Sequence, residues 1–172
     1  MMDLYTRYMV ATKGLSRDVY DDLLTASGSL CPFCGDLGQV NTLDHYLPKA
    51  NFPAYSVHPH NLVPCCRDCN SGNNASFGAS TAEQTLHPSL DHPHFFDERW
   101  IVASVYREDP ILLKFKCEPP THWSTIDQRR VRNHFDGYNL SQRFSVQAGA
   151  EISRLVQLRA NSLKALSVEA FQ

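Results

Sequence analysis

Apolar positions recur at helical spacing in some parts of the chain and at strand spacing in others. In "SRDVYDDLLTAS" (16–27), Val19, Tyr20, Leu23 and Leu24 fall on one helical face. Ser16 can cap the first turn through its side-chain oxygen, and Gly28 is a stop signal. "QVNTLDHYLP" predicts a strand reaching about His45, and "HNLVPC" (60–65) a second one. Pro48 and Pro53 between them mark an irregular loop, and a turn or helix is expected to begin near Asn70. Gly72, Asn73 and Asn74 are poor helix formers for that element. Residues 75–97, rich in Ser, Gly, His and Pro, read as loop.

"RWIVASVYREDPILLKFKCEP" reads as a hairpin turning at Asp109–Pro110, with Ile111, Leu113, Phe115 and Cys117 alternating. "STIDQRRVRNHF" (124–135) predicts a helix capped by Ser124, with Asp127 three residues on. A long amphipathic helix is predicted over 141–170, its stripe formed by Phe144, Ala148, Ile152, Leu155, Val156, Leu163 and Leu166. There is no internal repeat and no low-complexity tail. The pattern predicts an α+β chain: an N-terminal helical segment (1–28), a compact module (29–80), and a hairpin plus helices (81–172) packing on it.

At 172 residues the chain suffices for one domain with a fair core, and 42% hydrophobic with 20% charged residues is ordinary for a folded protein. No apolar run approaches the roughly 18 residues of a membrane span, so no membrane partner is expected. "MMDLYTRYMVATKG" lacks the apolar block of a secretory signal, so the expected compartment is the cytoplasm. The net charge of −2 excludes a surface that is basic throughout. Any nucleic-acid contact must be local, helped by a metal ion, or supplied by a partner.

The cysteines change the picture most. Cys31 and Cys34 form one C-x-x-C and Cys66 and Cys69 another, leaving Cys65 and Cys117 over. In a reducing compartment two matched knuckles read as a structural Zn²⁺ site of four thiolates rather than as disulfides. Two intervening residues let one tight turn aim both sulfurs at the same ion, and Pro32 and Gly35 suit that turn. Cys66 reproduces the first spacing to Cys69; Cys65 would leave three residues between and, being next door in a strand, points the opposite way. Cys65 is therefore expected to be a buried thiol, and Cys117 a small apolar core residue.

Taken in order, "CPFC", "LDHYLP" and "HNLVPCCRDCN" resemble the HNH endonucleases of the four-cysteine zinc variety, over residues 31–70. The resemblance implies a ββα-metal, treble-clef-like core, extended here by a hairpin and C-terminal helices. It implies catalytic roles for Asp44, His45, Asn61 and Asn70. His45 corresponds to the general-base histidine and Asp44 to the aspartate that commonly precedes it. Asn61 corresponds to the middle asparagine, and Asn70 stands where the last histidine or asparagine stands.

The chemistry suits those types. A neutral imidazole can take a proton from water near pH 7. Mg²⁺ or Mn²⁺ prefers oxygen ligands, which Asp44 and Asn70 offer. Asn61 is expected to tie the loop and so orient His45. Adjacent strand residues point oppositely, so a bend before Pro48 is expected to bring Asp44 and His45 to one site.

The substrate implied is nucleic acid, with DNA the first expectation and RNA an alternative. The longer wording "CPFCG…LDHYLPK…FPAYSVHPHNLVPCCRDCN" also looks like HNH proteins encoded beside an ATPase in bacterial anti-phage defence systems such as Septu. A partner ATPase would explain the low charge, and the long helix could dock it or pack on its own domain. The contrasting reading is a zinc-stapled binding module without turnover.

The basic residue that often follows the last motif position is missing, replaced by Ser71, Gly72, Asn73 and Asn74. Lys49 and Arg67 are the nearest substitutes; both can equally be solvated charges. Arg129, Arg130 and Arg132 form the densest basic cluster, either a nucleic-acid contact or a solvated helix face. His58, His60, His92 and His94 lack a ligand set at zinc spacing, and no second metal is assigned to them.

Overall fold

The computed structural model describes residues 5–10, 13–72, 77–108, 110–164 and 167. Asn73 and Asn74 of the motif tail, Asp109 of the expected turn and Leu166 of the expected stripe lie outside the described residues. A π-helical turn, Tyr5–Val10, precedes helix α1, Leu15–Ala26. The α1 N-cap is Gly14, at φ 121°. Its carbonyl accepts from the N–H groups of Arg17 and Asp18. Ser16 thus lies inside the helix and makes no cap, which corrects the sequence expectation.

Strands β1 (Thr42–His45) and β2 (Leu62–Cys65) pair antiparallel, with Thr42 opposite Cys65, Asp44 opposite Val63 and His45 opposite Leu62. Pro64 is tolerated because each strand of a two-stranded sheet is an edge. One face carries Leu43 and Leu62 into a cluster with Tyr5, Met9 and Tyr20. The other turns Val63 and Cys65 toward the cysteine cluster. Helix α2, Arg67–Gly72, follows β2 directly.

After a loop and a one-turn helix α3 (His94–Asp97), strands β3 (Ile101–Tyr106) and β4 (Leu112–Cys117) form the second hairpin, with Ile101 opposite Cys117. Leu113, Phe115 and Cys117 are half-buried while Leu112, Lys114 and Lys116 are exposed, so the period-two pattern holds. Helix α4, Thr125–Gly137, has the expected cap: Asp127 N–H donates to Ser124 Oγ at 3.1 Å. Helix α5, Leu140–Asn161, packs on β4 through Phe144, whose ring lies 5.4 Å from that of Phe115. Of the expected stripe, Phe144, Ala148, Ile152 and Leu163 are half-buried. Leu155 and Val156 are exposed, the latter at 58%. The distal half of α5 is therefore not covered as a core helix would be. Phe135, Tyr138 and Leu140 pack on the cysteine cluster, joining the C-terminal helices to the metal module. The chain is α+β with two small two-stranded sheets.

Candidate zinc centre and adjoining cleft

The first cysteine knuckle is built by a single turn at Pro32–Cys34 that ends at Gly35, whose φ of 57° is left-handed and suits glycine. Cys31 N–H donates to Gly38 O at 2.9 Å, closing the turn. Gly38 must stay bare: a Cβ there would lie 2.6 Å from Cys66 Cβ and 2.7 Å from its Sγ. The second knuckle runs from the end of β2 into α2, where Asn70 N–H donates to Cys66 O at 3.1 Å.

The sulfurs of Cys31, Cys34, Cys66 and Cys69 all lie within 4.8 Å of one another, and all four residues are buried. Cys34 Sγ and Cys66 Sγ are 4.0 Å apart, close to the S···S separation of about 3.8 Å that a tetrahedral Zn²⁺ with bonds of about 2.3 Å requires. The donor set therefore fits structural zinc. Cys34 is driven well below the usual thiol range by hydrogen bonds from Cys31 and Cys69, helped by the Gly38 amide and the Arg143 charge. Cys65, buried and outside the cluster, is pushed the other way by burial and by the nearby Asp44 charge, and stays a thiol.

Arg143, on the first turn of α5, is a contributor that sequence spacing did not reveal. Its Nη1 lies 3.1 Å from Cys69 Sγ and its Nη2 3.5 Å from Cys66 Sγ. Four thiolates on Zn²⁺ carry a net charge of about −2, which a guanidinium offsets directly. His134 clamps the first knuckle from α4. Its Nε2–H donates to Phe33 O at 2.7 Å, while its Nδ1 accepts from Leu86 N–H at 3.1 Å.

A cleft of about 480 Å³ adjoins this centre, lined among others by Tyr5, Thr42, Asp44, His45, Lys49 and Asn70. The register puts Asp44 and His45 on opposite faces of β1, as alternation requires. Both nonetheless line the same cleft. The chain bends at Tyr46 and Leu47, directly after His45 and before Pro48.

His45 Nε2 lies 2.9 Å from Ser56 O. A carbonyl can only accept, so Nε2 carries the proton and Nδ1 is the unprotonated nitrogen of the neutral ring. Burial lowers the pKa of His45; the Ser56 carbonyl opposes that shift and the Lys49 charge adds to it. Tyr5 meets the ring edge-on, with centroids 4.4 Å apart.

Asn61 holds the loop between β1 and β2. Its Oδ1 accepts from Leu47 N–H at 2.7 Å, and its Nδ2 donates to Leu47 O and Tyr55 O at 3.1 and 3.0 Å. Asn70 is exposed on α2, and its Nδ2 donates to Thr42 Oγ1 at 3.3 Å, which places it on the same side of β1 as Asp44. Asp44 is pushed up to about 6 by burial. Its Oδ2 is buried with no hydrogen-bond partner among the described residues. Asp44 and Asn70 line the same cleft, and a carboxylate oxygen and an amide oxygen are donors of the type a hard divalent cation takes.

The basic cluster of α4 is resolved differently from the nucleic-acid alternative. Arg130 is buried and makes a fork to Asp91, with Nη1–Oδ1 2.7 Å and Nη2–Oδ2 2.6 Å, and a third bond to Thr85 O at 2.9 Å. It is structural; Arg129 and Arg132 alone of the three are exposed. Among the described residues the four cysteines are the one cluster of metal-ligand type, and the histidines at 58, 60, 92 and 94 do not form another.

Together these elements define a compact α+β protein with a four-cysteine site of zinc type and a carboxylate–imidazole cleft beside it. Among known proteins, the chain is similar to protein Ea31 of Escherichia phage lambda, at 40% identity over 152 residues, 88% of this chain and 51% of that protein. It is also similar to Septu protein PtuB of Bacillus thuringiensis, at 29% identity over 75 residues, 41% of this chain and 28% of that protein. The chain thus spans about half of the first relative and about a quarter of the second. No protein-family profile matches it. No solved structure matches it. The cysteine cluster and the likeness to the Septu protein fit a zinc HNH-like module. No helix among the described residues is long and apolar enough to cross a membrane.

Proposed function

We propose that the chain is a metal-dependent HNH-type endonuclease whose nuclease module is residues 29–80, with Zn²⁺ on Cys31, Cys34, Cys66 and Cys69 as a structural staple. The observation that carries this reading is the cleft itself. It contains an imidazole with a fixed tautomer and a half-buried carboxylate, one oxygen of which is buried with no hydrogen-bond partner among the described residues, supplied by adjacent residues of one edge strand. A scaffold has no need to bury an unpaired carboxylate oxygen, whose desolvation is unfavourable.

In this reading His45 is the general base. Its Nδ1 takes a proton from a water as that water's oxygen bonds to phosphorus and the bond from phosphorus to the leaving oxygen breaks. Ser56 O holds the ring, and Asn61 holds the loop that carries Ser56. Asp44 and Asn70 would hold Mg²⁺ or Mn²⁺, which as a Lewis acid would offset negative charge growing on the phosphate oxygens. DNA is the first substrate to test and RNA the second. A role in anti-phage defence, with a partner such as an ATPase holding the nucleic acid, agrees with the net charge of −2 and with the exposed Leu155 and Val156 on α5.

The test is cleavage of plasmid, single-stranded DNA and RNA with Mg²⁺ or Mn²⁺, comparing wild type with His45→Ala and Asp44→Ala. Loss of cleavage by about 100-fold or more in both variants, with zinc retained, is the expected result. A wild type that cuts none of these, alone or with its partner, leaves the zinc-stapled binding module as the reading. Cleavage by His45→Ala at the wild-type rate removes His45 as base.

A further inference from the structure

The cleft is lined by a carboxyl group and an ammonium that form no ion pair with each other. Asp44 Oδ2 has no partner, and Lys49 makes no ion pair within 4.0 Å among the described residues. Lys49 is the sole cation in the lining of the cleft among the described residues. Its backbone is part of a tight turn, in which Asn51 and Phe52 N–H both donate to Pro48 O at 2.9 Å. Its ammonium lies over the Tyr5 ring, 5.4 Å from the centroid, and the same ring packs edge-on to His45.

Lys49 is half-buried, and its ammonium has an aromatic face beside it but no carboxylate within 4.0 Å among the described residues. An aromatic face holds a cation only weakly. It therefore keeps the side chain in the cleft without competing with an anion that arrives there. A ligand that completes both charges carries a cation toward Asp44 and an anionic oxygen toward Lys49. A divalent ion with a phosphodiester is such a ligand.

We infer that Lys49 is the phosphate-binding cation of this cleft, resting on the face of Tyr5 until the substrate's phosphate takes it. It stands in for the basic residue missing after Asn70. The inference rests on the nuclease reading for its substrate, and on the cleft alone for its anion site. Lys49 acts on the phosphate by charge and positioning, and takes no proton in the reaction.

The test uses the whole chain, zinc-loaded, as wild type, Lys49→Gln and Lys49→Arg. Binding of a fluorescent single-stranded oligonucleotide is measured over a salt series with no divalent cation added, and cleavage kinetics are measured with Mg²⁺. Lys49→Gln is expected to weaken binding about tenfold and to lower the slope of log K against log salt by about 0.7, the share of one phosphate contact on a single strand. KM rises with kcat little changed, and Lys49→Arg restores most of the affinity. Equal binding and an equal slope in Lys49→Gln overturn the inference while leaving the nuclease reading in place.

Should the wild type neither bind nor cut nucleic acid, the nuclease reading fails. The anion site is then decided by titrating inorganic phosphate against the lysine side-chain NMR signals. A shift of the signal that Lys49→Gln removes supports the site; an unmoved signal overturns it. Zinc content, equal in all three proteins, separates these outcomes from misfolding.

Discussion

The imidazole of His45 is held by the backbone of Ser56, whose carbonyl oxygen lies 2.9 Å from Nε2. That one bond sets which ring nitrogen can accept a proton. Asn61, 5% exposed, keeps the bond in place by tying Leu47 and Tyr55 together across the loop.

Asn61→Ala removes three hydrogen bonds from a buried loop. It should lower the stability of the protein by about 2–3 kcal/mol, since each such bond contributes about 1 kcal/mol. On the proposed function it should also lower kcat by about tenfold or more, with KM less affected, because the base is left misplaced. Urea unfolding and steady-state kinetics check the two effects separately. Unchanged stability would mean that the loop is held by something other than this side chain.

Cys65 and Cys66 are neighbours with opposite expected fates. Cys65→Ala should retain one equivalent of zinc and a folded core, because its thiol lies outside the cluster. Cys66→Ser should lose zinc and unfold over the module, since a structural zinc site and its fold form together. Metal analysis and far-UV circular dichroism decide it, and zinc loss from Cys65→Ala alone would reassign the ligands.

Arg143 reaches the thiols of Cys66 and Cys69 from α5. Arg143→Gln should speed zinc transfer to a chelating dye by about tenfold, within the range seen when groups that support metal ligands are removed. Arg143→Lys should recover only part of this, because one ammonium cannot fork to two sulfurs. An unchanged rate in Arg143→Gln would show that the contact does not tune the metal.

His134 gives a pH dependence of folding. Burial pushes its pKa down to about 4, against about 6.5 in the unfolded chain. A lowered folded value means that the stabilisation is present above about pH 6.5 and is lost as the pH falls toward 4. Between pH 7.5 and 5.5 the loss should be about 1 kcal/mol. His134→Gln should be less stable at pH 7.5 but should lack this part of the slope. Denaturant midpoints at both pH values measure it, and identical slopes would exclude His134 as the titrating group.

Arg130 pairs with Asp91 where solvent hardly reaches, at 7% exposure. Arg130→Ala should cost about 3–5 kcal/mol by leaving Asp91 unpaired, whereas Arg129→Ala and Arg132→Ala should each change stability by about 0.5 kcal/mol or less. Thermal melts of the three variants would separate them, and a mild effect of Arg130→Ala would return that residue to the solvated face.

What the sequence determined by itself was local. Two C-x-x-C turns, the edge strands of Asp44–His45 and Leu62–Cys65, the Ser124 cap and the alternating hairpin all follow from residues within a few positions of one another. Short-range sterics, turn chemistry and hydrophobic period act over that distance, so they can be read along the chain. Cys65 could be told from Cys66 for the same reason.

Only the tertiary structure decided the rest. Arg143 meets Cys69 across 74 positions, His134 meets Phe33 across 101, and Arg130 leaves the surface for Asp91 across 39. Tyr5 and Lys49 meet over His45 because the N-terminal turn packs on one face of β1. A charged side chain in a sequence has no sign of its partner. Whether it is solvated, paired or poised in a cleft depends on which distant groups folding brings within a few ångströms of it, where the Coulomb and desolvation terms are large.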